Sequence, residues 1–138
     1  METSLFRILV ADGFEPWRRY VAFTLKQDQC LRIVGVALDG LEAVQKAIEL
    51  KPDLVLLSVG LPKLNGIGAA KQIRKAIPGV KLLFATQMVD ADMMAEALKN
   101  GANGYILKMN AQSELLAAIR AIRRGEKFVS SHERMKGK

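Results

Sequence analysis

One cysteine, one histidine and one tryptophan occur among the 138 residues of this chain. A lone Cys30 cannot close an internal disulfide, so a reducing cytoplasm is the expected setting and a packing or loop position the expected role of that thiol. The single imidazole, His132, stands near the C-terminus, which leaves no histidine close in sequence to serve as a general base or to join a zinc-ligand cluster. No apolar run exceeds six residues, far short of the roughly 20 that cross a bilayer. The opening Met1–Arg7 carries no basic stretch followed by a long apolar one, so no signal peptide is expected. Helix-turn-helix and zinc-ligand spacings are lacking as well, which argues against direct DNA binding.

What is present is the composition of one soluble globular domain. Half the residues are hydrophobic and a quarter charged, and the length suffices for a single core. The net charge of +7 is uneven: residues 120–138 hold seven Lys and Arg against two Glu, accounting for +5 of it. The basicity is therefore expected in the last helical turn and a tail over 130–138, where cations complement a helix C-terminus, rather than on a face of the domain.

Apolar runs alternate with amphipathic segments five times, without a sequence repeat. Phe6–Ala11 reads as a strand, and Pro16 opens a helix running to about Gln27, since proline's missing N–H has no partner in a first turn anyway. Trp17, Val21 and Leu25 give that helix one buried face. Leu31–Ala37 is a second strand. Asp39 with Glu42 resembles a capping box, and Leu41, Val44 and Ile48 form the expected inner face of the second helix. Leu54–Val59 is apolar throughout, as suits a central strand covered on both sides. The third helix turns Ile67, Ala70, Ile73 and Ile77 inward. Lys81–Thr86 makes a fourth strand, Asp90 can cap a helix carrying Met94 and Leu98, and Asn100-Gly101 ends it. Gly104–Leu107 is the fifth strand, and Asn110 can cap a last helix with Leu115, Ile119 and Ile122 inward. Met93 and Met94 read as rim and core packing.

Five strands alternating with five helices specify α/β architecture, a parallel sheet with helices on both faces. Ligands of such sheets sit outside the carboxyl ends of the strands, at the topological switch point. Those ends here are Asp12-Gly13, Ser58, Thr86 and Lys108, and the opposite ends hold nothing comparable. A hydroxyl at Ser58, the end of the central strand, restricts the chemistry. A nucleophile elbow needs Gly-x-Ser-x-Gly, whereas Ser58 stands between Leu56 and Gly60, so enzymatic use of it is not expected.

These residues resemble the receiver domain of bacterial two-component response regulators over residues 5–129. The resemblance rests on Ile8–Asp12, Pro52–Leu57, Leu61-Pro62 with Gly66, Thr86, Gly101–Lys108, and Glu114-Leu115 followed by Ile119. Gly101-Ala102-Asn103-Gly104-Tyr105 and Lys127–Ser131 are most similar to receivers of the NarL/FixJ type. The resemblance implies a flavodoxin-like (βα)5 sandwich with strand order 2-1-3-4-5. It also implies that Thr86 is the switch hydroxyl, Tyr105 the switch aromatic and Lys108 the phosphoryl-contacting lysine. Two family positions differ: an adjacent acid pair is reduced to Asp12 and Gly13, and the phosphoacceptor aspartate is replaced by Ser58.

Phosphotransfer to a receiver requires Mg²⁺ to neutralise the transferring oxygens, and Mg²⁺ wants one or two carboxylates in an octahedral set. With Asp12 alone, Mg²⁺ binding is expected to be lost or weak, no other cofactor is implied, and an Asp12–Lys108 ion pair is the expected substitute. The expectation is an atypical, phosphorylation-independent receiver and not an enzyme. It would contact a signalling protein or a second copy of itself through helix 4, strand 5 and helix 5, about Ala91–Arg124. Tyr105 is then expected to pack rather than to switch. Two alternatives stay open: a conventional phosphoreceiver using Asp12 or Asp53, and a module binding a small anion beside Lys108.

Overall fold

The computed structural model describes residues 4–87 and 90–130. Apolar runs too short for helices become strands, and the amphipathic segments between them become the crossovers that parallel pairing demands. In chain order these are β1 (Phe6–Ala11), α1 (Glu15–Leu25), β2 (Leu31–Ala37), α2 (Gly40–Leu50), β3 (Leu54–Leu57) and α3 (Gly66–Ala76). There follow β4 (Lys81–Thr86), α4 (Ala91–Lys99), β5 (Gly104–Leu107), a 3₁₀ turn at Lys108–Asn110, α5 (Ala111–Arg123) and β6 (Phe128–Val129). The sheet runs β2-β1-β3-β4-β5-β6, and every pairing is parallel. This is the flavodoxin-like order expected, extended by a sixth strand that the sequence reading did not contain.

Alternation along β3 feeds both layers. Leu54 and Leu56 enter a cluster with Trp17, Val21 and Leu25 of α1 and Leu115, Ile119 and Ile122 of α5. Val55 and Leu57 enter the other, with Ala43 and Ala47 of α2, Ile73 of α3 and Met94 of α4. All four side chains of β3 are at most 1% exposed, so each contributes the full transfer free energy of a Val or Leu, roughly 1.5–3 kcal/mol. The core faces expected for α1, α3 and α5 hold, apart from Ile77, which is only partly buried.

The expected inner face of α2 is corrected. Leu41 and Ile48 are exposed, Val44 is half-buried, and the buried residues are Gly40, Ala43 and Ala47. Small residues face inward because the helix start lies hard against the β3–α3 loop: a Cβ on Gly40 would stand 1.7 Å from the Leu64 carbonyl oxygen. The Gly40 N–H donates to the Pro62 carbonyl at 3.0 Å.

Side-chain caps fix the entry angles of three helices. The Asp39 carboxylate accepts from the Glu42 N–H at 2.8 Å, while the Glu42 carboxylate reaches back to the Leu38 N–H at 2.7 Å. Asn65 accepts from the Gly68 N–H at 2.9 Å, and Asp90 from the Met93 N–H at 3.0 Å. The cap expected from Asn110 does not form; its amide instead donates to the Ser130 hydroxyl at 3.1 Å. Gly101 ends α4 at φ +93°, a conformation glycine adopts without strain.

The chain after α5 lies along the β5 edge. The Phe128 N–H donates to Asn103 O at 3.1 Å and the Ser130 N–H to Tyr105 O at 2.8 Å. Ser130 is 1% exposed, so the fold extends one residue past the expected boundary. The rest of the expected tail, residues 131–138 with His132, lies outside the described residues. Parallel topology gathers strand starts and helix ends at one end of the sheet, bringing Arg32 and Lys81 there with Lys26, Lys75, Lys99 and Arg124. The acids Asp28, Glu49, Asp53 and Glu126 lie at the same end. Among the described residues, no helix is long and apolar enough to cross a membrane.

Candidate functional site

The strand order reverses between β1 and β3, and the carboxyl ends of these strands open into a cavity of about 540 Å³. Asp12, Gly13, Ser58, Thr86 and Lys108 all line it. Of the residues expected to form the site, Tyr105 alone does not.

Asp12 follows the last residue of β1 and is held from three sides. Its N–H donates to Ala37 O at 3.0 Å, and its carbonyl accepts from Arg18 at 2.9 Å. Its carboxylate accepts from the Phe14 N–H at 2.9 Å and from Lys108 Nζ at 2.7 Å. The Asp12 and Lys108 side chains are 6% and 12% exposed, so this ion pair lies within the protein. Lys108 leaves β5 through the 3₁₀ turn, and its ammonium stands 5.0 Å from the centroid of the Trp17 ring and 5.9 Å from that of Phe14. Facing a carboxylate on one side and aromatic π-faces on the other, it is held by charge and quadrupole together. Trp17 in turn stacks on Tyr20 at 5.7 Å.

Ser58 sits one residue past β3. Its N–H donates to Ala11 O at 3.1 Å and its hydroxyl accepts from the Gly60 N–H at 3.2 Å, a serine turn that starts the loop to α3. The loop is tight: a Cβ on Gly66 would lie 2.0 Å from Ser58 O. At Gly13 an added Cβ would meet Leu38 O at 3.2 Å, a tight contact that requires a backbone shift of a few tenths of an ångström.

Thr86 ends β4 at the cavity wall, and Tyr105 packs behind it at 1% exposure, its ring 6.2 Å from that of Phe84. Burial pushes the Tyr105 phenol above its ordinary pKa, the nearby Asp90 charge adds to this, and the Thr86 hydroxyl partly offsets it. The phenol oxygen makes no hydrogen bond of ordinary geometry among the described residues. Asp53 is not near the site. It stands at the opposite end of β3, where its carboxylate accepts from the Arg7 N–H at 2.7 Å.

The donor set suits a metal ion poorly. Among the described residues Asp12 is the one carboxylate lining the cavity, and no group of three or more His, Cys, Asp or Glu side chains converges anywhere. The aromatic partners of Lys108 escaped sequence reasoning. Trp17 read as core through its spacing, and Phe14 gave no periodic signal.

Fold and pocket together define a doubly wound α/β domain with a polar cavity at its switch point. The response regulator receiver domain family matches residues 8–120. Oxygen regulatory protein NreC of Staphylococcus aureus is 36% identical over 124 residues, covering 89% of this chain and 57% of that protein. Among solved structures, a LuxR-family two-component response regulator from Aurantimonas sp. SI85-9A1 superposes with TM-score 0.88 at 29% identity, covering 93% of this chain and 91% of that one. The response regulator domain of Thermotoga maritima CheB gives TM-score 0.78 at 35% identity, covering 84% of this chain and 94% of that one. The chain belongs to the response regulator receiver domain family. It spans little more than half the length of the curated relatives it matches.

Proposed function

We propose that this receiver domain works by protein–protein contact and does not take phosphate. The observation that carries this reading is the internal Asp12–Lys108 ion pair at 2.7 Å, in a cavity with no second carboxylate among the described residues. In a phosphate-taking site, Asp12 would bind Mg²⁺ and Lys108 would meet the phosphoryl oxygens. Here each neutralises the other. Among the described residues, the one carboxylate sharing the cavity with Ser58 is Asp12, already paired with Lys108, and a neutral hydroxyl is a poor phosphoacceptor.

Without that input the balance of conformations is set by the sequence or by a partner. The contact face of this reading is α4, β5 and α5. Because β6 covers the β5 edge, the helices, including half-exposed Met93 on α4, present that face rather than an open strand. The partner class is a signalling protein or a second copy of the chain, in the cytoplasm, with no DNA contact by this domain itself.

The test compares the native chain with Gly13→Asp/Ser58→Asp. Both are incubated with Mg²⁺ and acetyl phosphate and read by intact mass, or with Mg²⁺ and beryllofluoride and read by thermal shift. Only the variant should gain a phosphoryl adduct or a metal-dependent shift. A hydroxylamine-labile phosphoryl adduct on the native chain would overturn the proposal. The cavity beside Lys108 supports a second reading, a small-anion site. A saturable thermal shift with phosphate or a carboxylate, abolished in Lys108→Met, would favour it.

A further inference from the structure

The turn that carries Lys108 is held from behind by the chain that follows α5. The Ser130 hydroxyl donates to the Glu114 carboxylate at 2.5 Å and accepts from the Asn110 side-chain amide at 3.1 Å and the Leu107 N–H at 3.3 Å. Leu107 and Asn110 lie on either side of the Lys108–Met109 step, and Glu114 is in the first turn of α5. One buried hydroxyl therefore bonds to the end of β5, the 3₁₀ turn and α5 at once. Its own N–H completes the β5–β6 ladder through Tyr105 O at 2.8 Å.

We propose that Phe128–Ser130 is a strap whose seating on β5 fixes the Lys108 turn, coupling the Asp12–Lys108 pair to the seating of that strap. The physical basis is that Lys108 has little freedom of its own. Its ammonium must meet Asp12 at 2.7 Å from a backbone whose flanking residues both hang on Ser130. If Ser130 leaves, the Leu107 N–H and the Asn110 amide lose an acceptor, Glu114 loses a donor, and the turn can relax away from Asp12. The reverse follows by linkage: anything that pulls Lys108 from Asp12 must loosen the strap by the same factor. Neither direction involves phosphate or Mg²⁺, so the coupling stands or falls independently of the proposed function.

Two measurements on the full chain test it. In Lys108→Met, with Asp12→Asn as a second route to breaking the pair, amide hydrogen exchange at Ser130 is compared with that at Leu56 in the central strand. In Ser130→Ala, acetylation of Lys108 by acetic anhydride is followed by peptide mass spectrometry, with exposed Lys63 as the internal reference. The expected result is a rise of about fivefold in the local-opening rate at Ser130 and in the Lys63-referenced acetylation rate at Lys108, the low end of couplings measured between sites. Leu56 reports global unfolding, so Ser130 exchange faster than that of Leu56 in the same chain is local opening, and that rate is compared between chains. Unchanged Ser130 exchange in both pair-breaking variants, or unchanged Lys108 acetylation in Ser130→Ala, would overturn the coupling.

Discussion

Breaking the Asp12–Lys108 pair is the perturbation with the clearest magnitude. An exposed ion pair contributes about 0–1 kcal/mol. Removing one partner of a buried pair costs about 3–5 kcal/mol, because the survivor is left charged and unpaired. With side chains 6% and 12% exposed, this pair falls in the second class. The two partners are not equivalent. In Lys108→Met, the Asp12 carboxylate keeps the Phe14 N–H at 2.9 Å and loses its counter-charge, so a loss of about 3 kcal/mol is expected. In Asp12→Asn the amide oxygen can still accept from Phe14, and Lys108 retains the Trp17 face at 5.0 Å and the open cavity, so the loss should be nearer 2 kcal/mol. The double variant Asp12→Asn/Lys108→Met leaves no orphaned charge, and its loss should fall at least ~1 kcal/mol short of the sum of the singles. Urea denaturation reads all three. At an m-value of about 1.5 kcal/mol/M, a 3 kcal/mol loss moves the midpoint by about 2 M. Single losses below about 1 kcal/mol that simply add would show that the pair behaves as a solvated surface bridge. The account of a site closed by its own lysine would then be refuted.

Other outcomes follow from the loops and caps. Gly40→Ala places a methyl 1.7 Å from Leu64 O, and the overpacking should cost about 2 kcal/mol in urea denaturation, against a near-neutral Gly79→Ala, where a Cβ meets nothing. Asn65→Ala removes the cap of α3 and should lower stability by about 1 kcal/mol, with Asn65→Asp recovering most of it; equal stability of all three chains would contradict the capping assignment. Among the described residues four carboxylates titrate below their ordinary values: Asp28 through the Cys30 N–H, Asp39 through the Glu42 N–H, Glu42 through the Leu38 N–H and Glu126 through the Arg124 guanidinium. Depressed folded-state pKa values mean that their stabilisation is present above the unfolded values of 3.8 and 4.5 and is lost as acid protonates the folded forms. The melting temperature should therefore fall as pH drops from about 5 to about 3. An Asp39→Asn/Glu42→Gln chain should show a shallower fall, and an identical slope would count against these two as contributors.

Much of this fold was legible because its strands are bounded by punctuation. The bounds of β1, β2, β4 and β5 follow from the apolar runs and their flanking turns alone. The Asp12–Lys108 pair was legible too, once the strand ends were placed on one edge. The inner face of α2 was not. Periodicity weighs large apolar residues, whereas closeness to the β3–α3 loop selects Gly40, Ala43 and Ala47 for the inside and leaves Leu41 and Ile48 out. Nor was β6, whose two residues carry no period; its identity as a strand comes from the free edge of β5. The same edge redirects Asn110 from capping α5 to bonding Ser130.

Trp17 supplies the pocket with an optical label. It is the single tryptophan of the chain, 7% exposed, with the Lys108 ammonium 5.0 Å above its ring and Tyr20 stacked at 5.7 Å. Its emission therefore originates beside the ion pair and has no second source to dilute it. A cation at that distance perturbs the indole excited state. Movement of the lysine, by mutation, by ligand or by release of the strap, thus registers as a change in native fluorescence without any added dye.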